Sequence, residues 1–194
     1  NVRNGGIFYW DESNGLTTRG VNIASLAGAS NCPTVAAQVL VSDNDQHVIA
    51  FGANPIGSTD QDPLFVRFSD QQSITDWTPT AINQAGGVQL SMGSSIIGAL
   101  QTRQEILIWT DVGIVSMRFV GAPFVFSFNE VAHGPSLISP NAAINANNRV
   151  YFMDNGGFYV YSGSAQRLPC TVLDYVLSDL NLGQAFKIFG AVND

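Results

Sequence analysis

The chain has 194 residues, a formal net charge of −7 from eight basic and fifteen acidic side chains, and 45% hydrophobic content. That hydrophobic share excludes a disordered chain, the seven arginines and one lysine are too few and too scattered for the basic stripe that nucleic-acid binding needs, and no apolar run nears the roughly 18 residues of a membrane helix. With charged residues at only 12%, and Gly, Asn, Ser and Thr filling the gaps between apolar runs, the composition reads as a turn-rich all-β protein with little helix.

In chain order, Asn4-Gly5 precedes Ile7-Phe8-Tyr9-Trp10, and an Asn-Gly pair between strands asks for positive φ at both turn positions. Asp11 to Gly15 is a turn, and Val21 to Thr34 is small, polar and irregular, a connection rather than a helix. Val39 to Ser42 and His47 to Gly52 read as strands around the polar turn Asp43-Asn44-Asp45-Gln46. Ala53 to Pro63 is a Gly-, Pro- and Asp-rich insertion, Leu64 to Phe68 a strand, and Ser69 to Gly87 a long polar connection whose Trp77 plugs the space between repeats. Phe124, Phe126 and Phe128 alternate with Val125 and Ser127, which places three rings on one face of a strand. Leu173, Val176, Leu177 and Leu180 recur at helical spacing, and Ala185 to Val192 reads as a further strand.

One pattern organises these pieces. Ser95 to Phe119 and Ser139 to Tyr161 share a strand, a polar tetrad, a second strand, a turn on Asp/Asn-x-Gly and a third strand. An offset of 44 residues carries Ile106 to Val150, Ala99 to Ala143, Ile108 to Phe152, Asp111 to Asn155 and Gly113 to Gly157. Such a meander cannot bury both faces alone, and a period near 44 falls in the range of propeller blades, about 40 to 50 residues. The predicted fold is an all-β, β-propeller-like repeat of antiparallel meander blades, part of a larger propeller-containing chain. It has a partial blade at 1–20, a blade with an inserted loop at 35–90, blades at 95–130 and 139–170, a short helix at 171–181 and the start of another blade at 185–194. Asn4 to Trp10 matches Asn155 to Tyr161 position for position, so the chain is expected to open in mid-blade.

Chemistry is thinly signalled. Gly52 to Thr59 has the outer glycines of a phosphate loop, but Ser58 stands where the lysine must be and no helix pattern follows. Asp43-Asn44-Asp45 and Asp60-Gln61-Asp62 lack the rest of a calcium loop and read as solvated turns. His47 and His133 have no base-orienting partner in sequence, no Gly-x-Ser-x-Gly elbow is present, and Cys32 and Cys170 carry neither metal spacing nor a disulfide framework. Ser69 to Trp77 resembles the aspartate box of sialidase propellers, without its turn glycine. No catalytic, cofactor-binding or metal residue is therefore predicted, no cofactor is expected, and the chain is not read as an enzyme.

Longer strings resemble a family. Gln38 to Asp43 with His47 to Gly52, Gln61 to Leu64 with Arg67 to Asp70, Asp76 to Ala81 with Asn83, Ala85 and Gly86, Thr102 to Glu105 with Trp109 to Asp111, Gly121 to Phe124, and Leu168 to Cys170 are similar to short-tailed bacteriophage tail hub or nozzle proteins, also called tail tubular protein B or packaged-DNA stabilisation proteins. The resemblance implies a structural subunit of a sixfold homo-oligomeric ring that extends the portal channel, retains packaged DNA and allows its ejection. Implied partners are the portal and adaptor proteins, tail fibres, spikes or needle, and genomic DNA passing without specific binding, with no membrane span. The implied location is the virion tail, after assembly in the host cytoplasm. The acidic balance suits such a conduit, because carboxylates repel phosphate. Two alternatives stand beside it: a carbohydrate-binding or sialidase-like propeller, which as a glycosidase needs clustered arginines and paired carboxylates at the axis, and a receptor-binding module using the loops 53–63 and 69–87, which needs exposed aromatics there, Trp77 being the one strong candidate and expected to be buried.

Overall fold

The computed structural model describes residues 1–43 and 45–193, and the protein is all-β. Among these residues there are three four-stranded antiparallel sheets and one two-stranded sheet, each joining strands in chain order. Two compact units divide the chain, residues 1–91 and 92–194.

The first unit holds β1 (Phe8–Tyr9) paired with β2 (Val21–Asn22), then a sheet of β3 (Ala36–Val41), β4 (Val48–Ala53), β5 (Phe65–Phe68) and β6 (Gly86–Gln89). The partial repeat at 1–20 thus closes on Val21 and Asn22, just beyond its expected end. Asn4 has φ 56° as the Asn-Gly pair requires, but Gly5 does not follow it and bridges Ala36 instead of turning a hairpin. Ile7, Ile23, Cys32, Ala36, Ala50, Ala53 and Trp77 form the core of this unit. Trp77 is fully buried, with its indole N–H donated to the Ile74 carbonyl at 3.0 Å.

Arg67 lies in the same interior and is 1% exposed. Strand alternation sends it inward opposite Ala50 on β4, where its guanidinium lies 5.7 Å from the Trp77 ring. It donates to the carbonyls of Asn31, Asn54 and Trp77, so one side chain ties three loop segments to β5. Burial lowers its pKa to about 10, still charged at neutral pH. Asn54, 3% exposed, completes the anchorage: its side-chain oxygen accepts the Thr34 and Val35 N–H groups at 2.9 and 3.2 Å. The base of the insertion at 53–63 therefore belongs to the core.

The second unit contains β7 (Ile96–Gln101), β8 (Ile106–Thr110), β9 (Gly113–Gly121) and β10 (Val125–His133), then β11 (Ala143–Ala146), β12 (Arg149–Asp154), β13 (Gly157–Tyr161) and β14 (Ala165–Arg167). The 44-residue offset holds at the level of hydrogen-bond register. Ala99 faces Ile108 as Ala143 faces Phe152, Ile106 faces Met117 as Val150 faces Tyr161, and Trp109 faces Ile114 as Met153 faces Phe158. Leu107, Trp109, Ile114, Leu137, Val150, Phe152 and Tyr161 share one core, with Trp109 and Phe152 edge to face at 5.5 Å. Gly98 on β7 lets the backbone of Pro140 come close, because a Cβ there would meet the Pro140 carbonyl at 3.0 Å.

Three local readings differ from the structure. Positive φ at both turn positions occurs at Asn147 (50°) and Asn148 (62°) between β11 and β12, whereas Asn155 and Gly156 turn without it and Gly157 takes the positive value. Phe124, Phe126 and Phe128 do not share a face: Val125 adopts φ 60°, the register slips between Val125 and Phe126, and Phe124 is left 78% exposed at the hairpin tip. The helix is α1 (Leu173–Ser178), shorter than 171–181, and the strand expected over 185–192 does not form: its first three residues end a 3-10 helix, Leu182–Lys187. Asn181 initiates that helix by accepting the Gly183 N–H at 3.1 Å, and beyond it a single parallel bridge joins Phe189 to Asn141. Residue 194 of that segment lies outside the described residues.

The Arg67 anchorage gives a direct test. Arg67→Met leaves two buried carbonyls, Asn54 and Trp77, and the part-buried Asn31 carbonyl without their donor, and each unsatisfied buried polar group costs about 1–3 kcal/mol. Urea denaturation should show a loss of roughly 3 kcal/mol or more, with Arg67→Lys intermediate because an ammonium cannot span the three carbonyls.

Candidate functional site

The sequence-derived candidates do not converge. His47 is buried and its Nδ1 donates to the Ser69 carbonyl at 2.8 Å, while His133 is a surface residue 3.4 Å from Glu130. Gly52 to Thr59 runs without a following helix, its Asn54 amide bonded to the Ser58 carbonyl at 2.7 Å. Asp62 accepts the Leu64 N–H at 2.9 Å and the Gln89 amide at 3.2 Å, as a turn carboxylate does. Asn44 of the other acidic turn lies outside the described residues. Cys32 and Cys170 are free thiols, and among the described residues no three His, Cys, Asp or Glu side chains gather.

The segment resembling an aspartate box is a folded loop. Asp76 accepts the Thr78 N–H at 3.2 Å, the Asn83 amide at 3.1 Å and the Ser30 hydroxyl at 3.0 Å, and these bonds hold its carboxyl below the usual range. Asp70 accepts the Gln84 N–H at 2.8 Å. The loop's polar side chains bond the loop itself and the neighbouring Ser30, Asn31 and Val48, and Trp77 is buried.

The second unit contains a different cluster. Thr102 closes the tetrad before β8: its hydroxyl donates to the Glu105 carbonyl at 2.7 Å and accepts the Glu105 N–H at 3.2 Å. This staple fixes Glu105 at the mouth of β8. Ser116 and Arg118, two apart on neighbouring β9, project to the same side. The Ser116 hydroxyl donates to Glu105 Oε2, and Arg118 reaches that oxygen through Nε at 3.0 Å and Nη2 at 2.9 Å. Tyr161, at the end of β13, donates its hydroxyl to Glu105 Oε1 at 3.1 Å. The Glu105 side chain is only 8% exposed, yet it borders a cleft of about 240 Å³ lined also by Gln104, Asn148 and Ser162.

Burial first, and Glu105 second, push the Tyr161 hydroxyl up to about 12. A tyrosine nucleophile needs the opposite shift, and the cleft presents one arginine and one carboxylate rather than several of each. The arrangement suits recognition by hydrogen bonds better than bond cleavage.

Sequence reasoning missed this cluster because Glu105 and Tyr161 stand 56 residues apart. Its only trace was the 44-residue repeat, which sets Tyr161 where the first copy has Met117: a polar tip at a core position calls for a polar partner.

The tyrosine supplies a pH test. Its folded pKa lies above the ordinary value near 10, so the stability it contributes is present below pH 10 and is lost as pH rises toward about 12. Ultraviolet titration should show one of the five tyrosines ionising last, and Tyr161→Phe should remove that step.

Neither a scan against protein-family models nor a search of the curated proteins finds a match to this chain.

Proposed function

We propose that this chain is a structural element of a bacteriophage short tail, a nozzle or hub ring subunit that works by assembly rather than by turnover. The observation carrying this reading is the register-preserving repeat, which supports taking the two four-stranded meanders of the second unit as propeller blades. Within the second unit the first strands, β7 and β11, lie in contact, as blades do near their axis. The family resemblance of the strings between Gln38 and Cys170 then supplies the tail context, with portal, adaptor, fibre, spike or needle proteins as partners. Location in the virion tail and passage through the host cytoplasm during assembly follow from the same reading.

The charge supports a conduit. With a net charge of −7 the protein repels a phosphate backbone, so DNA slides past without being held. Among the described residues no helix is long and apolar enough to cross a membrane.

Two measurements test the reading. Electron microscopy of the purified protein with its portal and adaptor should show this segment within an axial ring; a dispersed monomer under the same conditions contradicts it. Fluorescence anisotropy with duplex DNA at physiological salt should give no saturable binding, and tight binding that weakens steeply with salt overturns the conduit.

A further inference from the structure

The cleft beside Glu105 has features that ring assembly does not use. Its walls are polar, and the floor carries a salt bridge already closed within the protein, Arg118 to Glu105 at 2.9 Å. Several hydrogen-bonding groups remain uncommitted there. Among the described residues Arg118 uses Nε and Nη2 on Glu105 and leaves Nη1 without a bond, and its side chain is 52% exposed. Glu105 Oε2 is crowded by Ser116 and Arg118, whereas among the described residues Oε1 accepts from Tyr161 alone. A carboxylate oxygen can accept two bonds, so Oε1 keeps one position open. The carboxamides of Gln104 and Asn148, both exposed on the rim, bond no other described residue.

The charges select among ligands. An anion drawn to Arg118 would lie beside the Glu105 carboxylate, and a cation drawn to Glu105 would lie beside the guanidinium. Each would gain from one group and lose to the other. An apolar ligand would strip water from both charges without replacing its hydrogen bonds, which is costly. A neutral molecule rich in hydroxyls fits, because each hydroxyl can both donate to Glu105 or a carboxamide and accept from Arg118. A volume of about 240 Å³ lies below the roughly 300–1,000 Å³ of drug-sized sites, which limits the occupant to one ring.

We propose that the cleft formed by Glu105, Arg118, Tyr161, Gln104 and Asn148 binds one neutral sugar residue of a glycan. The site recognises and does not cleave. It is independent of the tail reading: a ring subunit without it remains a ring subunit, and a sugar-binding chain that forms no ring keeps the site.

Saturation-transfer-difference NMR on the whole chain tests the proposal with methyl glucoside, methyl galactoside and N-acetylglucosamine as neutral probes, against glucuronic acid, N-acetylneuraminic acid and inorganic phosphate. At least one neutral sugar should receive saturation, and the anions should receive none. Glu105→Gln risks the fold, so the informative variant is Gln104→Ala with Asn148→Gly. Both residues are exposed, and glycine accepts the φ of 62° at position 148. Neutral-sugar binding should weaken at least tenfold with the melting temperature unchanged. Absence of transfer to every neutral sugar, anions binding as well as neutral sugars, or unchanged binding in the double variant overturns it.

Discussion

The rest of the structure depends on one constraint: in two of its sheets a central strand is buried on both faces. All five residues of β8, Ile106–Thr110, are buried, and so are Ile49 to Ala53 on β4. A lone four-stranded meander leaves one face in water, so strands of this kind demand cover on both sides. In the second unit the cover is visible on one side, where Leu107 and Trp109 of one sheet meet Val150 and Phe152 of the next. Because the two sheets share a register 44 residues apart, equivalent positions do equivalent work.

Polar groups inside such a protein must be accounted for one by one, and the two units do so differently. In the first, Arg67 has carbonyls rather than a carboxylate as partners, and the reward is geometric: three loop segments converge on one strand. In the second, Glu105 gathers a guanidinium and two hydroxyls from two sheets. The first cluster is sealed and serves architecture. The second opens to a cleft with unused donors and acceptors, which is why it alone suggests a ligand.

Much of the fold was legible because period-two apolar runs and turn residues are local signals. The three four-stranded meanders run over 36–89, 96–133 and 143–167, and in the second unit the 44-residue offset reaches even the strand register. What was not legible depends on competition that sequence does not display. Val125 breaks the Phe124–Phe126–Phe128 alternation through its backbone, and Asn181 captures Gly183 before the run at 185–192 can extend. The Asn147-Asn148 pair, rather than Asn155-Gly156, takes the turn with two positive φ values, since a two-residue link between β11 and β12 must match the strand twist. The Glu105 cluster was invisible for another reason: its members come from the entrance of β8, the middle of β9 and the end of β13, and none is marked in sequence as a partner of the others.

An experimental structure of the chain tests the central claim most directly, because that claim is the equivalence of two meanders 44 residues apart. The expected result is that β7–β9 superpose on β11–β13 with Ala99, Ile108 and Trp109 on Ala143, Phe152 and Met153, β7 beside β11 and Gly98 against Pro140. A shifted register in either sheet, or β7 and β11 lying apart, would contradict it.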